Sequence, residues 1–157
     1  MIKVLFVCTG NICRSSMAEG ALLGRAVRDG PGDCIAADSA GTHGYHVGEP
    51  PDHRAQATAR TRGYDLSGQR ARRVETADFD DFDYVVALDH GHLCHLERLC
   101  PPGRDDRLHL LMAFADGPGG DVPDPYYGGG GDFEHALDLI ERGIDGMLSV
   151  IRESHPG

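Results

Sequence analysis

The sequence predicts an α/β fold of three layers, a central four-stranded, parallel, twisted sheet with helices on both faces, forming one domain over residues 1–157. Three observations carry this expectation. Residues 2–8, I-K-V-L-F-V-C, are a nearly continuous β-branched and aromatic run, the composition of a strand buried on both faces. Strand-like and helix-like segments then alternate, the order that gives parallel strands joined by crossover helices. Phe133, Leu137, Ile140, Ile144, Leu148 and Ile151 recur near a 3.6-residue period and mark one face of a C-terminal helix.

The elements follow in order. After strand 2–8, a glycine-containing loop leads into a helix over 15–27, with Ser15 or Ser16 as cap, Glu19 near the first turn, and Met17, Ala21, Leu22 and Val27 as apolar positions. Gly30, Pro31 and Gly32 end that unit. Residues 34–40, C-I-A-A-D-S-A, form a second strand, and 41–52 a polar loop. A helix over 53–62 stops at Gly63. Residues 82–88, F-D-Y-V-V-A-L, are the third strand, and a helix over 90–99 is closed by Pro101 and Pro102. Residues 107–111 form a short fourth strand, and 117–131 a long loop rich in Gly and Pro. The chain has no internal repeat.

Composition narrows the classes of function. A net charge of −10 is the wrong sign for a nucleic-acid binder, and it means that any anionic substrate must be captured by a local site against the field of the whole protein. No apolar stretch approaches the ~20 residues that span a bilayer, so no membrane association is expected. The N-terminal run is too short for a secretory signal and lacks its cleavage site, so a cytoplasmic protein is expected. Five cysteines (Cys8, Cys13, Cys34, Cys94 and Cys100) without a secretory signal argue against a disulfide framework. Cys34 reads as a core residue. His90, His92, Cys94 and His95 have metal-ligand side chains, but one short helix cannot aim all four inward. They read as a solvated histidine-rich face, and no metal or other cofactor is expected.

The chemistry concentrates in C-T-G-N-I-C-R-S, residues 8–15. A strand runs into a turn containing Gly10 and Asn11, which tolerate left-handed backbone angles, and then into a helix. Such a turn can point the N–H groups of Thr9, Gly10, Asn11, Ile12 and Cys13 at one point, forming an anion nest at a helix N-terminus. Arg14 adds a planar charged fork suited to phosphate oxygens. A Cys8 thiol in this cup meets N–H dipoles, a helix N-terminus and a guanidinium, all favouring the thiolate, with the Ser15 hydroxyl as a further donor. A bare C-x5-R is short enough to occur by chance; placed between a strand and a helix, it reads as an active site. The loop also sits at the carboxyl end of strand one, where ligands bind in such sheets. No G-K-[ST] is present for a nucleotide loop. Displacement at phosphorus further needs a proton donor, and D-V-P-D-P-Y-Y-G, residues 121–128, offers Asp124 between two prolines and beside two tyrosines. Turn-making aspartates in a Pro/Gly-rich loop explain that stretch equally well.

Together, C-T-G-N-I-C-R-S and D-P-Y-Y-G resemble the low-molecular-weight protein tyrosine phosphatases, a resemblance extended by S-A-G-T at 39–42, V-G-E-P at 47–50 and F-D-Y-V-V-A-L-D at 82–89, over essentially the whole chain. It implies a metal-free, two-step hydrolysis of phosphotyrosine and aryl phosphates. Cys8 would be the nucleophile, Asp124 the acid and then the base, and Arg14 with the loop N–H groups the holder of the phosphoryl oxygens. It also implies that Asn11, Ser15 and Ser39 support the loop, that Tyr45, Tyr126 and Tyr127 wall the substrate pocket, and that Cys13 can form a reversible disulfide with Cys8. The expected partners are phosphotyrosine-containing proteins, and the expected state a monomer or weak dimer. The near absence of lysine (Lys3 alone), with abundant Gly, Ala and Asp, suggests a GC-rich bacterial source. Ile12 stands where related protein-arginine phosphatases tend to have threonine, favouring phosphotyrosine. Departures from the family pattern include Ser16 for a proline, Gln69 near a loop-supporting histidine, and His92 for an asparagine. Thioredoxin-coupled arsenate reductases share the fold and first loop, but they have a cysteine directly after the third strand, where this chain has Asp89, and they lack D-P-Y-Y.

Overall fold

The computed structural model describes residues 1–29, 34–115 and 120–154. The predicted stop at Gly30, Pro31 and Gly32, and residues 117–119 of the predicted long loop, lie outside these. Strand β1 (Ile2–Cys8) leads to helix α1 (Arg14–Asp29), β2 (Ile35–Gly41), α2 (His53–Thr61), a single turn α3 (Asp78–Asp81), β3 (Tyr84–Ala87), α4 (His90–Leu99), β4 (Leu108–Leu110) and the long α5 (Gly130–Ser154). Short 3₁₀ turns, Asp105–Arg107 and Leu111–Ala113, flank β4. The four strands are all parallel, in the order β2-β1-β3-β4. The chain therefore winds outward from β1 in both directions, and the loops after β1 and β3 part at the switch point of the sheet, where a ligand crevice opens.

Alternation along the strands sorts two cores. Val4, Phe6 and Val86 face α1, α2 and α5, packing with Met17, Leu22, Phe133, Leu137 and Ile140. Leu5, Val7, Val85 and Ala87 face the other way, against Phe79, Phe82 and Leu96 from α3, its flank and α4. The residues at the C-terminal helix's 3.6-residue spacing, Phe133 to Ile151, are all buried. Glycine on that helix permits close approach: a Cβ at Gly146 would fall 1.8 Å from the Phe114 carbonyl oxygen.

Some expectations shift. Val27 is 74% exposed and Ala26 is buried instead, because the inward stripe of α1 runs through Met17, Ala18, Ala21, Leu22 and Ala26. Cys34 is exposed, not a core residue; it precedes β2 and contributes only its carbonyl, to Ile2 N–H. Neither Ser15 nor Ser16 caps α1 in the usual way, since both side chains turn back to the preceding loop. Gly63, in contrast, takes the left-handed φ of 87° of a helix stop.

Glu19 on α1 accepts the Ser39 hydroxyl at 2.7 Å, tying α1 to β2. Burial pushes its carboxyl up to about 7 from an ordinary 4.5. A raised carboxyl favours the fold while it is protonated in both states, and that contribution is lost as pH rises from 4.5 through about 7. Glu19→Gln, which keeps the acceptor oxygen and removes the charge, is expected to raise the melting temperature at pH 8 by a few degrees, at about 2–4 °C per kcal/mol for this size, and to change little at pH 5. Thermal melts at both pH values check this; an equal gain at both would count against it.

Candidate active site

The turn after β1 is held from outside by its carbonyls. Cys8 O accepts Thr42 N–H (2.8 Å), Thr9 O accepts His43 N–H (3.1 Å), Ile12 O accepts Asp52 N–H (2.8 Å) and Asn11 O accepts the Ser16 hydroxyl (3.2 Å). The N–H groups of residues 9–13 meet no acceptor among the described residues, which is the pattern of an anion nest. Asn11, at φ 60°, makes the left-handed turn; Gly10 serves a different need, since a Cβ there would lie 3.0 Å from the His46 ring.

Cys8 is buried, its Sγ 3.0 Å from Ser15 Oγ. Asn11 Nδ2 donates to Ser15 Oγ at 2.8 Å, which leaves the hydroxyl proton free to point at the sulfur. Asn11 Oδ1 in turn accepts Arg72 N–H at 3.0 Å. Gln69 does not take the histidine's place in this network: it donates to Ser16 O at 3.1 Å. Ser39 also stays off the loop, its hydroxyl spent on Glu19 across the sheet edge. Cys13 is buried and free, and burial, then Asp52 and Cys8, push its thiol up, so it stays protonated beside the nucleophile candidate.

Arg14 is 4% exposed and almost fully constrained. Nη1 donates to Asp89 Oδ2 and to Val122 O, both at 2.8 Å, while Nη2 lies 3.3 Å from His92 Nε2 and 3.8 Å from Asp124 Oδ2. Asp89 uses its other oxygen to cap α4 through His92 N–H at 2.8 Å. Although burial works the other way, the His92 backbone N–H and Arg14 hold the Asp89 carboxyl below the usual range.

His92 corrects the expectation of a solvated histidine face. It is 5% exposed, with Nε2 2.9 Å from Thr9 Oγ1. A guanidinium only donates, so Nε2 must be the lone-pair nitrogen and the proton sits on Nδ1, 3.2 Å from Asp89 Oδ1 though poorly aligned for a hydrogen bond. Burial and the Arg14 charge push the ring down to about 4, keeping it a neutral acceptor. His90 and His95 do point outward, His90 onto Asp121 at 2.6 Å.

The acid-bearing loop is tied on two sides. Val122 N–H donates to Leu88 O at 2.9 Å, and Asp124 Oδ1 accepts Tyr126 N–H at 3.0 Å. Arg54 spans the gap: it grips Asp52 through Nε and Nη2 (both 3.0 Å) and donates to Tyr126 O (2.9 Å) and Gly128 O (3.2 Å). It also lies over the Tyr126 and Phe133 rings. The result is a cavity of about 240 Å³ lined by Cys8, Thr9, Gly10, Ile12, Cys13, Arg14, Tyr45, His46, Asp124, Tyr126 and Tyr127. Of the residues singled out in the sequence, Asn11 and Ser15 stand just behind this lining and Ser39 apart from it. The sequence alone gives His46 and Arg54 no role in the site; Asp89 enters it only as the last residue of F-D-Y-V-V-A-L-D and His92 only as a departure from the family pattern. A larger groove of about 790 Å³, beside Glu19, Leu23, Tyr64 and Arg70, has no thiol among the described residues that line it. The cavity with the thiol, the guanidinium and the carboxylate is the one equipped for displacement at phosphorus.

Comparisons with known proteins place the whole chain in one family and fold. Residues 3–156 match the profile of the low molecular weight phosphotyrosine protein phosphatases. A low molecular weight protein-tyrosine-phosphatase of Streptomyces coelicolor is 45% identical over 99% of this chain and 96% of its own. YfkJ of Bacillus subtilis, named likewise, is 40% identical, and its crystal structure superposes with a TM-score of 0.91 over 99% of this chain and 97% of its own. A protein tyrosine phosphatase from Entamoeba histolytica, solved with Hepes in the active site, is 33% identical with a TM-score of 0.93, over 98% and 99% of the two chains.

Proposed function

Because the chain belongs to the low molecular weight phosphotyrosine protein phosphatase family and is a protein-tyrosine-phosphatase, we propose that it hydrolyses phosphotyrosine through a phosphocysteine intermediate formed on Cys8. The observation that carries the residue assignment is the convergence of Cys8, Arg14 and Asp124 on one tyrosine-walled cavity. The Cys8 thiolate donates an electron pair to phosphorus as the P–O bond to the tyrosine breaks. The departing phenolic oxygen takes the proton of Asp124. Asp124, now a carboxylate, takes a proton from water, whose oxygen attacks phosphorus and releases phosphate and the thiolate. The loop N–H groups and the free edge of Arg14 hold the equatorial oxygens throughout. Ser15 keeps a donor on the sulfur in the ground state and on its return as leaving group.

Tyr45, Tyr126 and Tyr127 give a flat-sided slot, which suits a phosphophenyl group with phosphorus at the floor. Ile12 in the lining supports an apolar contact for the ring over a hydrogen bond to a guanidinium. Cys94 and Cys100 line no part of this cavity, which speaks against an electron relay from Cys8. We also place the protein in the cytoplasm, where its free thiols would stay reduced. The test is hydrolysis of phosphotyrosine peptides in competition with phosphoarginine peptides, without added metal. Turnover of the phosphotyrosine peptides is expected; preference for phosphoarginine, or thioredoxin-dependent arsenate reduction alone, would overturn the reading.

A further inference from the structure

The residues flanking a phosphotyrosine must rest on the rim of the cavity, and the rim is chemically one-sided. The loop carrying His43 is stitched to the phosphate-binding turn by Thr42 N–H to Cys8 O and His43 N–H to Thr9 O. His43 stacks on Tyr45, centroids 5.1 Å apart at 8°, and so presents the 73%-exposed Tyr45 as the outer wall. On its other side His43 lies 6.1 Å from His95 on α4. The charged groups that act on His95 are His43, Arg98 and Arg73, with no carboxylate among them. Arg73 is itself the residue that bridges to Gly41 at the end of β2, and Arg98 lies one turn beyond His95. Both are exposed, and neither forms an ion pair among the described residues.

Apart from the exposed Glu75, two residues beyond Arg73, the neighbouring acids are occupied or turned away. Glu49 is held by His46, Asp121 by His90 and Asp78 by Arg72. Glu97 faces the opposite flank of α4, with Leu93, Cys100 and Asp105. A chain of net charge −10 thus keeps two guanidiniums without an ion pair among the described residues, Arg73 against the loop that carries Tyr45 and Arg98 beside His95 on α4.

We propose that the rim formed by His43, Tyr45, Arg73, His95 and Arg98 is the docking surface for the substrate chain beside the phosphotyrosine, and that it selects acidic side chains there. The proposal rests on the phosphatase reading of the site. Two or three extended residues cover about 7–10 Å, enough to carry a carboxylate from the cavity mouth onto the rim. The rim also gives an acidic substrate an approach that the rest of the surface opposes.

The experiment measures kcat/KM for phosphotyrosine peptides bearing Asp or Glu at each of the three positions before and after the phosphotyrosine, against Asn or Gln isosteres, with an aryl phosphate as reference. Two exposed charge contacts are expected to favour the acidic peptides by about 3- to 10-fold, and salt to erode the preference. The double variant Arg73→Gln/Arg98→Gln is expected to abolish the preference, read as the ratio of acidic to neutral peptides, while leaving kcat on the aryl phosphate unchanged. Equal kcat/KM for acidic and neutral peptides in the wild type, or a preference insensitive to salt, would overturn the proposal without recourse to the variant. Failure to hydrolyse either the peptides or the aryl phosphate would instead overturn the phosphatase reading itself.

Discussion

Cys8→Ser is expected to lower aryl phosphate hydrolysis by at least about 10⁴-fold, which corresponds to roughly 5 kcal/mol of barrier. The substitution replaces a sulfur that ionises readily with an oxygen that does not. The cup of N–H groups and Arg14 cannot compensate, because they are arranged around phosphate and around a thiolate. Cys8 is buried and serine is smaller, so the fold should persist and the phosphate cradle with it. The variant should therefore still bind phosphotyrosine peptides, and a pull-down with it would collect substrates. Steady-state rates on an aryl phosphate, with a thermal melt to confirm folding, check the expectation. Residual activity above about one per cent in a folded variant would remove Cys8 from the role of nucleophile.

Asp124→Asn is expected to cost about 10²- to 10⁴-fold in kcat/KM, the usual range for losing a positioned proton donor. Its signature is the dependence on the leaving group. A phenol of low pKa departs as its anion with little help, so the loss should shrink for activated aryl phosphates and be largest for phosphotyrosine itself. A series of substituted phenyl phosphates checks this: the slope of log kcat/KM, which reports the step that expels the phenol, against leaving-group pKa should become steeper in the variant. An unchanged slope would make Asp124 a structural aspartate that merely accepts Tyr126 N–H.

The parts of this molecule legible in its sequence are those governed by local pattern. Strand β1 announces itself because both faces are buried, and α5 because its inward residues repeat every turn. The nucleophile's turn is legible for a similar reason: strand, left-handed turn and helix are adjacent in the chain, and Asn11 sits in the middle of them. What stayed hidden depends on pairings between distant residues. His92 looks like one more polar residue on a histidine-rich helix until Asp89 and Arg14 fold around it; nothing local separates it from His90 or His95. Arg54 lies some seventy residues from the carbonyls it holds, and carbonyls leave no trace in a sequence. Ser15 was legible as a helix cap and as a donor to sulfur; the Asn11 amide decides between them by occupying its oxygen.

Arg54 holds the acid-bearing segment by main-chain oxygens, and every amino acid supplies the same oxygen. These hydrogen bonds are therefore indifferent to which side chains stand at positions 126 and 127, and a replacement at 126 forfeits only the ring beneath the guanidinium. Those two walls can be exchanged, over generations or at the bench, without losing the anchor that sets the height of the carboxylate above the sulfur. A scaffold built this way separates the choice of substrate from the chemistry performed on it, so a change of diet need not be a change of mechanism.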